Sequence, residues 1–143
     1  MIAQNLVSMK EIVITAADFD RLRGIVDSPR YRSTHAPLLL ALREELDRGQ
    51  VVPADAVPKG VVTMHSRVRV RDLKDQESET YTLVYPDQAD INENKLSVLA
   101  PLGMALLGTR VGQIVKFDAP AGERRLKIEK ILYQPEARGD FHL

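Results

Sequence analysis

Apolar and polar residues recur along this chain with two periods, and the change from one to the other comes before the middle. Phe19, Leu22 and Val26 fall at helical spacing with Ile25 beside them, which predicts an amphipathic helix over 15–27. Thr15 reads as its N-cap, with Asp18 three residues on as a weaker form of the capping box. Ser28-Pro29 stops the helix, because proline disfavours helical backbone at the residue before it. After a polar loop over 30–35, a second helix begins near Ala36-Pro37, a first-turn position that suits proline. Leu38, Leu39, Leu42 and Leu46 form its apolar stripe, Arg43, Glu44, Asp47 and Arg48 its outer face, and Gly49 ends it. The two stripes predict an antiparallel helical hairpin, with Phe19, Leu22 and Val26 set against Leu38, Leu42 and Leu46. A β-branched run over 11–14 predicts a short strand that needs an edge to pair with, and residues 1–10 carry no clear pattern.

Beyond a linker, "PADAVP" over 53–58, the period becomes two. In the segment 62–71, Met64, Val68 and Val70 share one face of a strand and His65, Arg67, Arg69 and Arg71 the other. A turn over 72–78 leads to a strand over 80–85 that Pro86 ends, then a polar loop over 87–94 and a short strand over 96–98. A short helix over 101–107 has Pro101 at its start and Gly108 just past its end. Strands over 113–117 and 125–133 flank a turn at 119–122, and an irregular tail follows. Helices first, then strands interrupted by one short helix, predict an α+β chain: a helical appendage over 1–56 and a mainly antiparallel sheet domain over 57–143.

Composition narrows the function. The 20 basic and 20 acidic residues cancel, so no global field draws the chain to nucleic acid or a membrane. Cysteine is absent, which excludes disulfides and thiolate metal sites. No apolar run approaches the ~20 residues of a membrane span and no secretory pattern opens the chain, so a cytoplasmic protein is expected. His35, His65 and His142 lie far apart without metal-binding spacing, and no phosphate-loop, dinucleotide or nucleophile-elbow motif occurs. We therefore expect no metal, no cofactor and no catalytic residue. Aromatic residues are 5% of the chain, with no Trp, which argues against stacking on single-stranded nucleic acid. Two polar clusters stand out: Arg67, Arg69 and Arg71 on one strand face, and Asp27, Ser28, Arg30, Tyr31 and Arg32 at the hairpin tip. Each reads either as an ordinary solvated surface or as a contact patch for a partner.

Four stretches carry a resemblance: "VVTMHSRVRVRDL" (61–73), "YTLVYP" (81–86), "LSVLAPLGMALLGTRVG" (96–112) and "YQPEARGDFHL" (133–143). Together with a short helical hairpin and a linker ahead of them, they resemble the Gre-type transcription elongation factors, and most closely the Rnk branch of that family. The resemblance implies an FKBP-like fold for the C-terminal domain. It implies RNA polymerase as the partner, bound through that domain, with the N-terminal coiled coil entering the secondary channel. Neither sequence-specific nucleic-acid binding nor membrane binding is expected. In Gre factors two acids at the coiled-coil tip help hold a catalytic Mg²⁺, a cation that takes hard oxygen ligands. This chain departs from the pattern: its hairpin is far shorter, and Asp27 stands alone with Arg30 and Arg32 after it. The turn that in Gre factors carries an acid, a Ser and a Pro reads Leu99, Ala100 and Pro101 here. Either docking through that turn is more apolar, or Leu99 is buried; Leu102, Ala105, Leu106 and Leu107 are expected in the core. The resemblance thus implies a non-enzymatic competitor of Gre factors that does not stimulate cleavage, with Leu99, Ala100, Pro101, Arg67, Arg69 and the tip as contacts. The alternatives are a weak cleavage-stimulating factor relying on Asp27, and a prolyl isomerase or chaperone module, for which the chain is poor in aromatics.

Overall fold

The computed structural model describes residues 12–32 and 36–140. The expectations for residues 1–10, for part of the 30–35 loop and for the end of the tail fall outside the described residues. Strand β1 (Val13–Thr15) leads into helix α1 (Ala16–Val26). The Thr15 hydroxyl accepts the Asp18 backbone N–H at 3.2 Å, the N-cap that the sequence predicts. A four-residue turn of helix, α2 (Pro29–Arg32), precedes the longer α3 (Ala36–Arg48). Helices α1 and α3 run antiparallel: Arg23 pairs with Asp47 at 2.9 Å and Asp27 with Arg43 at 3.0 Å. Leu22 and Val26 are buried against Leu39, Leu42 and Leu46, with Phe19, Ile25 and Leu38 partly buried beside them.

Gly49 is followed by β2 (Gln50–Val52), a strand that the sequence pattern did not mark. It supplies the edge β1 needs, pairing with it in parallel from Val13↔Gln50 to Thr15↔Val52. The linker is ordered as a short 3₁₀ turn over Ala54–Ala56, with Val57 buried after it.

Five strands follow: β3 (Arg67–Asp72), β4 (Ser78–Val84), β5 (Lys95–Ser97), β6 (Ile114–Ala119) and β7 (Gly122–Tyr133). They form one sheet in the order β5-β4-β3-β7-β6. All neighbours are antiparallel except β4 and β5, which are parallel. β3 is shorter than the alternation predicts. His65 adopts φ 68°, and Val61, Val62, Thr63, Met64 and Ser66 are buried together, so 62–66 is a packed turn instead of a strand. A side chain in left-handed backbone breaks the ladder that period-two spacing alone would continue. Helix α4 (Pro101–Leu106) lies between β5 and β6. It packs so close to the end of β5 that a Cβ on Gly103 would stand 2.0 Å from the Ser97 carbonyl oxygen. The described part of the tail is not irregular: Gln134 is buried and donates to the Pro58 and Val61 carbonyls at 2.8 and 2.6 Å, before a helical turn α5 (Pro135–Arg138).

The hydrophobic core is continuous. Ile12, Ile14, Leu22, Leu42 and Leu46 from the helical half join Val62, Val68, Leu83, Leu99, Leu106 and Ile128 from the sheet half in one cluster. Ile12 sits so close over Gly108, at φ 81°, that a Cβ there would lie 2.3 Å from its Cγ2.

Candidate partner-binding surfaces

The tip is built by the end of α1. Asp27 caps the helix with near-helical backbone, and its N–H returns to the Arg23 carbonyl at 3.1 Å. Ser28 accepts the Arg30 N–H through its hydroxyl at 3.2 Å, a local turn that sets up α2. The Arg30 guanidinium lies over the Tyr31 ring, 5.3 Å from its centroid. Arg32 lines an open groove of about 250 Å³ with Val26, Ala36, Leu39, Leu40 and Arg43. The Asp27 carboxylate is held by Arg43 at 3.0 Å. From Ser28 to Arg43 the chain has no Asp or Glu, and among the described residues no group of three or more metal-ligating side chains converges. One carboxylate already paired with a cation does not fit a Mg²⁺ site, which needs several oxygen ligands with room for water.

The tip is not remote from the sheet. Arg21, Ile25, Arg30 and Tyr31 share a cleft of about 360 Å³ with Tyr85, Pro86, Asp87 and Gln88. Behind it lies a clamp that sequence reasoning missed. Asp18 is only 2% exposed and accepts the Tyr85 hydroxyl at 2.6 Å, while the Arg21 guanidinium sits 5.6 Å from the Tyr85 ring centre. Burial pushes the Asp18 carboxyl above the usual carboxylate range, against the Tyr85 hydrogen bond and the nearby His65 and Arg21. Burial and the Asp18 charge likewise push the Tyr85 hydroxyl up. A signal was there to read: Asp18, Leu22 and Val26 are spaced i, i+4, i+8, so a carboxylate stands on the apolar stripe and needs a buried donor.

In the sheet half, the three docking positions behave differently. Leu99 is 1% exposed and belongs to the core, so it offers no surface; its apolar side chain is drawn inward. Ala100 is the half-buried N-cap of α4, with no side-chain oxygen to take the free N–H groups. Pro101 is exposed at the first turn. Leu102, Leu106 and Leu107 are buried, as expected; Ala105 is partly buried.

Arg67, Arg69 and Arg71 share the outer face of β3. Glu129 takes Arg71 at 2.6 Å, Arg69 at 3.5 Å and the Ser78 hydroxyl at 2.9 Å. The Ser78 and Arg71 bonds hold its carboxyl below the usual range. Arg69 and Arg71 thus share one acidic partner within the sheet. Arg67 stands apart, over a different cleft with His65, Thr82, Val84, Gln88, Lys95 and Tyr133. At the far end of β3, the buried Asp72 receives two hydrogen bonds from Arg124, at 2.7 and 3.0 Å, and the Lys74 N–H at 2.8 Å. The Lys74 N–H first, and Arg124 with it, hold its carboxyl low.

Comparison with known proteins places this arrangement. The family model described as "Transcription elongation factor, GreA/GreB, C-term" matches residues 57–133, and the model described as "Rnk N-terminus" matches residues 10–52. The chain is 41% identical over 137 residues to the regulator of nucleoside diphosphate kinase of Escherichia coli strain K12, covering 95% of this chain and 99% of that one. With the transcription elongation factor GreA of Listeria welshimeri it shares 36% identity over 93 residues, 65% of this chain and 58% of that one. Among solved structures, a prokaryotic transcription elongation factor GreA/GreB from Nitrosomonas europaea aligns with a TM-score of 0.74 at 35% identity, covering 86% of this chain and 98% of that one.

Proposed function

Because the chain belongs to the GreA/GreB family of transcription elongation factors, in its Rnk branch, we propose that it binds RNA polymerase where Gre factors bind and occupies that site without stimulating transcript cleavage. The observation that carries this reading is the tip: its single carboxylate, Asp27, is tied to Arg43. The helices behind it have 11 and 13 residues, so at ~1.5 Å per residue they are only about 16–20 Å long. Such a hairpin is too short to carry a group deep into a channel, and its tip brings cations where cleavage chemistry needs oxygen ligands. The sheet half, with the FKBP-like fold its family implies, would dock through the exposed Pro101 and the edge of Ala100, with Arg67 and the tip residues Ser28, Arg30, Tyr31 and Arg32 as further contacts. The protein then acts as a regulator and not as an enzyme, in the cytoplasm beside its polymerase. The link to nucleoside diphosphate kinase in the relative's name is read as indirect.

The test is transcript cleavage in a stalled, backtracked polymerase complex driven by a Gre factor while this protein is titrated in. A dose-dependent fall, with no cleavage from this protein alone, is expected. Undiminished cleavage at saturation would remove the shared-site reading. Cleavage by this protein alone that Asp27→Asn abolishes would establish the weak cleavage factor instead.

A further inference from the structure

The outer face of the sheet carries, among the described residues, two clusters of cations with a hydroxyl. In the first, Glu129 sits among Arg71, Arg69 and the Ser78 hydroxyl. The second lies at the other end of β3. Register pairs Lys95 with Thr82, Thr82 with Arg67 and Arg67 with Tyr133, so four strands place these side chains in one row. All four line a cleft of about 390 Å³ with His65, Val84 and Gln88. Strands stand about 4.8 Å apart, so the Lys95 and Arg67 backbones flank Thr82 at about 10 Å from each other. The composition repeats that around Glu129: two cations and a hydroxyl. Where β7 supplies Glu129 to the first site, however, it supplies Tyr133 to the second, and the Tyr133 hydroxyl donates to Asp140.

One further observation points the same way. Arg67 has no acidic partner among the described residues, whereas Arg69 and Arg71 do. Lys95 touches Glu93 at 3.0 Å, but both side chains are well exposed, and such a pair gives way easily.

We infer that this cleft binds a small molecule through a phosphate group, held between Arg67 and Lys95 over the Thr82 hydroxyl. A phosphate monoester carries about −1.5 to −2 charges and three acceptor oxygens. That matches one guanidinium fork, one ammonium and one hydroxyl better than the single charge and two oxygens of a carboxylate. The cleft is wider than the phosphate alone, leaving room for a small organic group beside Tyr133 and Gln88. Along β3 the next cations are committed to Glu129, so the row offers donors for one phosphate and not for a chain of them.

The test uses the full chain, titrated separately with inorganic phosphate, pyrophosphate, AMP and, as control, acetate at constant ionic strength. Amide chemical shifts of Arg67, Thr82 and Lys95 report binding. Saturable shifts centred on this row are expected with a phosphate compound and not with acetate. Arg67→Gln and Lys95→Gln should each weaken binding about tenfold, the size of one charge-assisted hydrogen bond, and Arg69→Gln should leave it unchanged. Inorganic phosphate binding as tightly as AMP would identify free phosphate as the ligand class, and tighter AMP a phosphate monoester; pyrophosphate binding tighter than both would overturn the one-phosphate site. No saturable shift with any of the three, equal response to acetate, or equal weakening by Arg69→Gln overturns the proposal. Lys95 is exposed on a short edge strand, so its variant remains informative if Arg67→Gln perturbs the fold.

Discussion

Replacing Tyr85 with Phe tests how the helices are held to the sheet. Tyr85 is 7% exposed and Asp18 2%, and their 2.6 Å hydrogen bond joins α1 to the end of β4 across 67 residues of sequence. Phe keeps the ring and its packing but leaves the buried carboxylate without its hydroxyl donor. A hydrogen bond to a charged group is worth about 1.5–3 kcal/mol, and the partner left behind also bears its own desolvation. For a chain of this size that corresponds to a fall in Tm of roughly 5–10 °C. Asp18→Asn should cost far less, because an amide carbonyl still accepts from Tyr85 and no charge is buried. In the double variant the two effects should not add, since both act on one contact. Thermal melts of the four proteins, followed by circular dichroism at pH 7, supply the cycle. A Tyr85→Phe shift below about 2 °C, or an Asp18→Asn loss larger than that of Tyr85→Phe, would refute the idea that this bond clamps the two halves together.

The same clamp has a pH signature. The Asp18 carboxyl is raised in the folded state, so its linkage contribution falls as pH rises from its unfolded pKa to its folded one. The cost of Asp18→Asn relative to the native protein should therefore be larger in acid, measured by urea melts at pH 7 and pH 4. Asp72 and Glu129 are lowered, so their contribution is present above the unfolded carboxylate pKa and is lost as pH falls through the folded one; Glu129→Gln should flatten that acid limb. Gly108→Ala should cost about 2–4 kcal/mol, because its φ of 81° suits glycine and the new Cβ meets Ile12 at 2.3 Å. Gly24→Ala, in α1 with nothing within 4 Å, should instead stabilise the chain by about 0.5–1 kcal/mol, and chemical denaturation of the pair separates the two cases. Ala100→Ser gives α4 the N-cap oxygen it lacks and should add about 1 kcal/mol in the same assay.

Elements whose cause is local were legible in the sequence. The α1 and α3 stripes, the Thr15 cap, the Pro29 and Pro101 boundaries, Gly108 beyond α4 and the outward row of Arg67, Arg69 and Arg71 follow from spacing and backbone chemistry that neighbouring residues carry. The single acid at the tip was also plain, because a missing carboxylate needs no fold to be seen. What tertiary structure decided is who meets whom. The sequence pattern did not mark β2, because a three-residue strand forms only when β1 offers it an edge. It extended β3 through His65, because a left-handed residue is invisible to period-two counting. It left open whether Leu99 faced a partner or the core, and packing against the continuous core settled that. Register alone set Lys95, Thr82, Arg67 and Tyr133 in one row and gave Glu129 to the other two arginines. Folding across 67 residues brought Asp18 to Tyr85. Hydrophobic periodicity fixes which face turns inward; the long-range partners of buried charges and of strand edges depend on chain closure, which no local window contains.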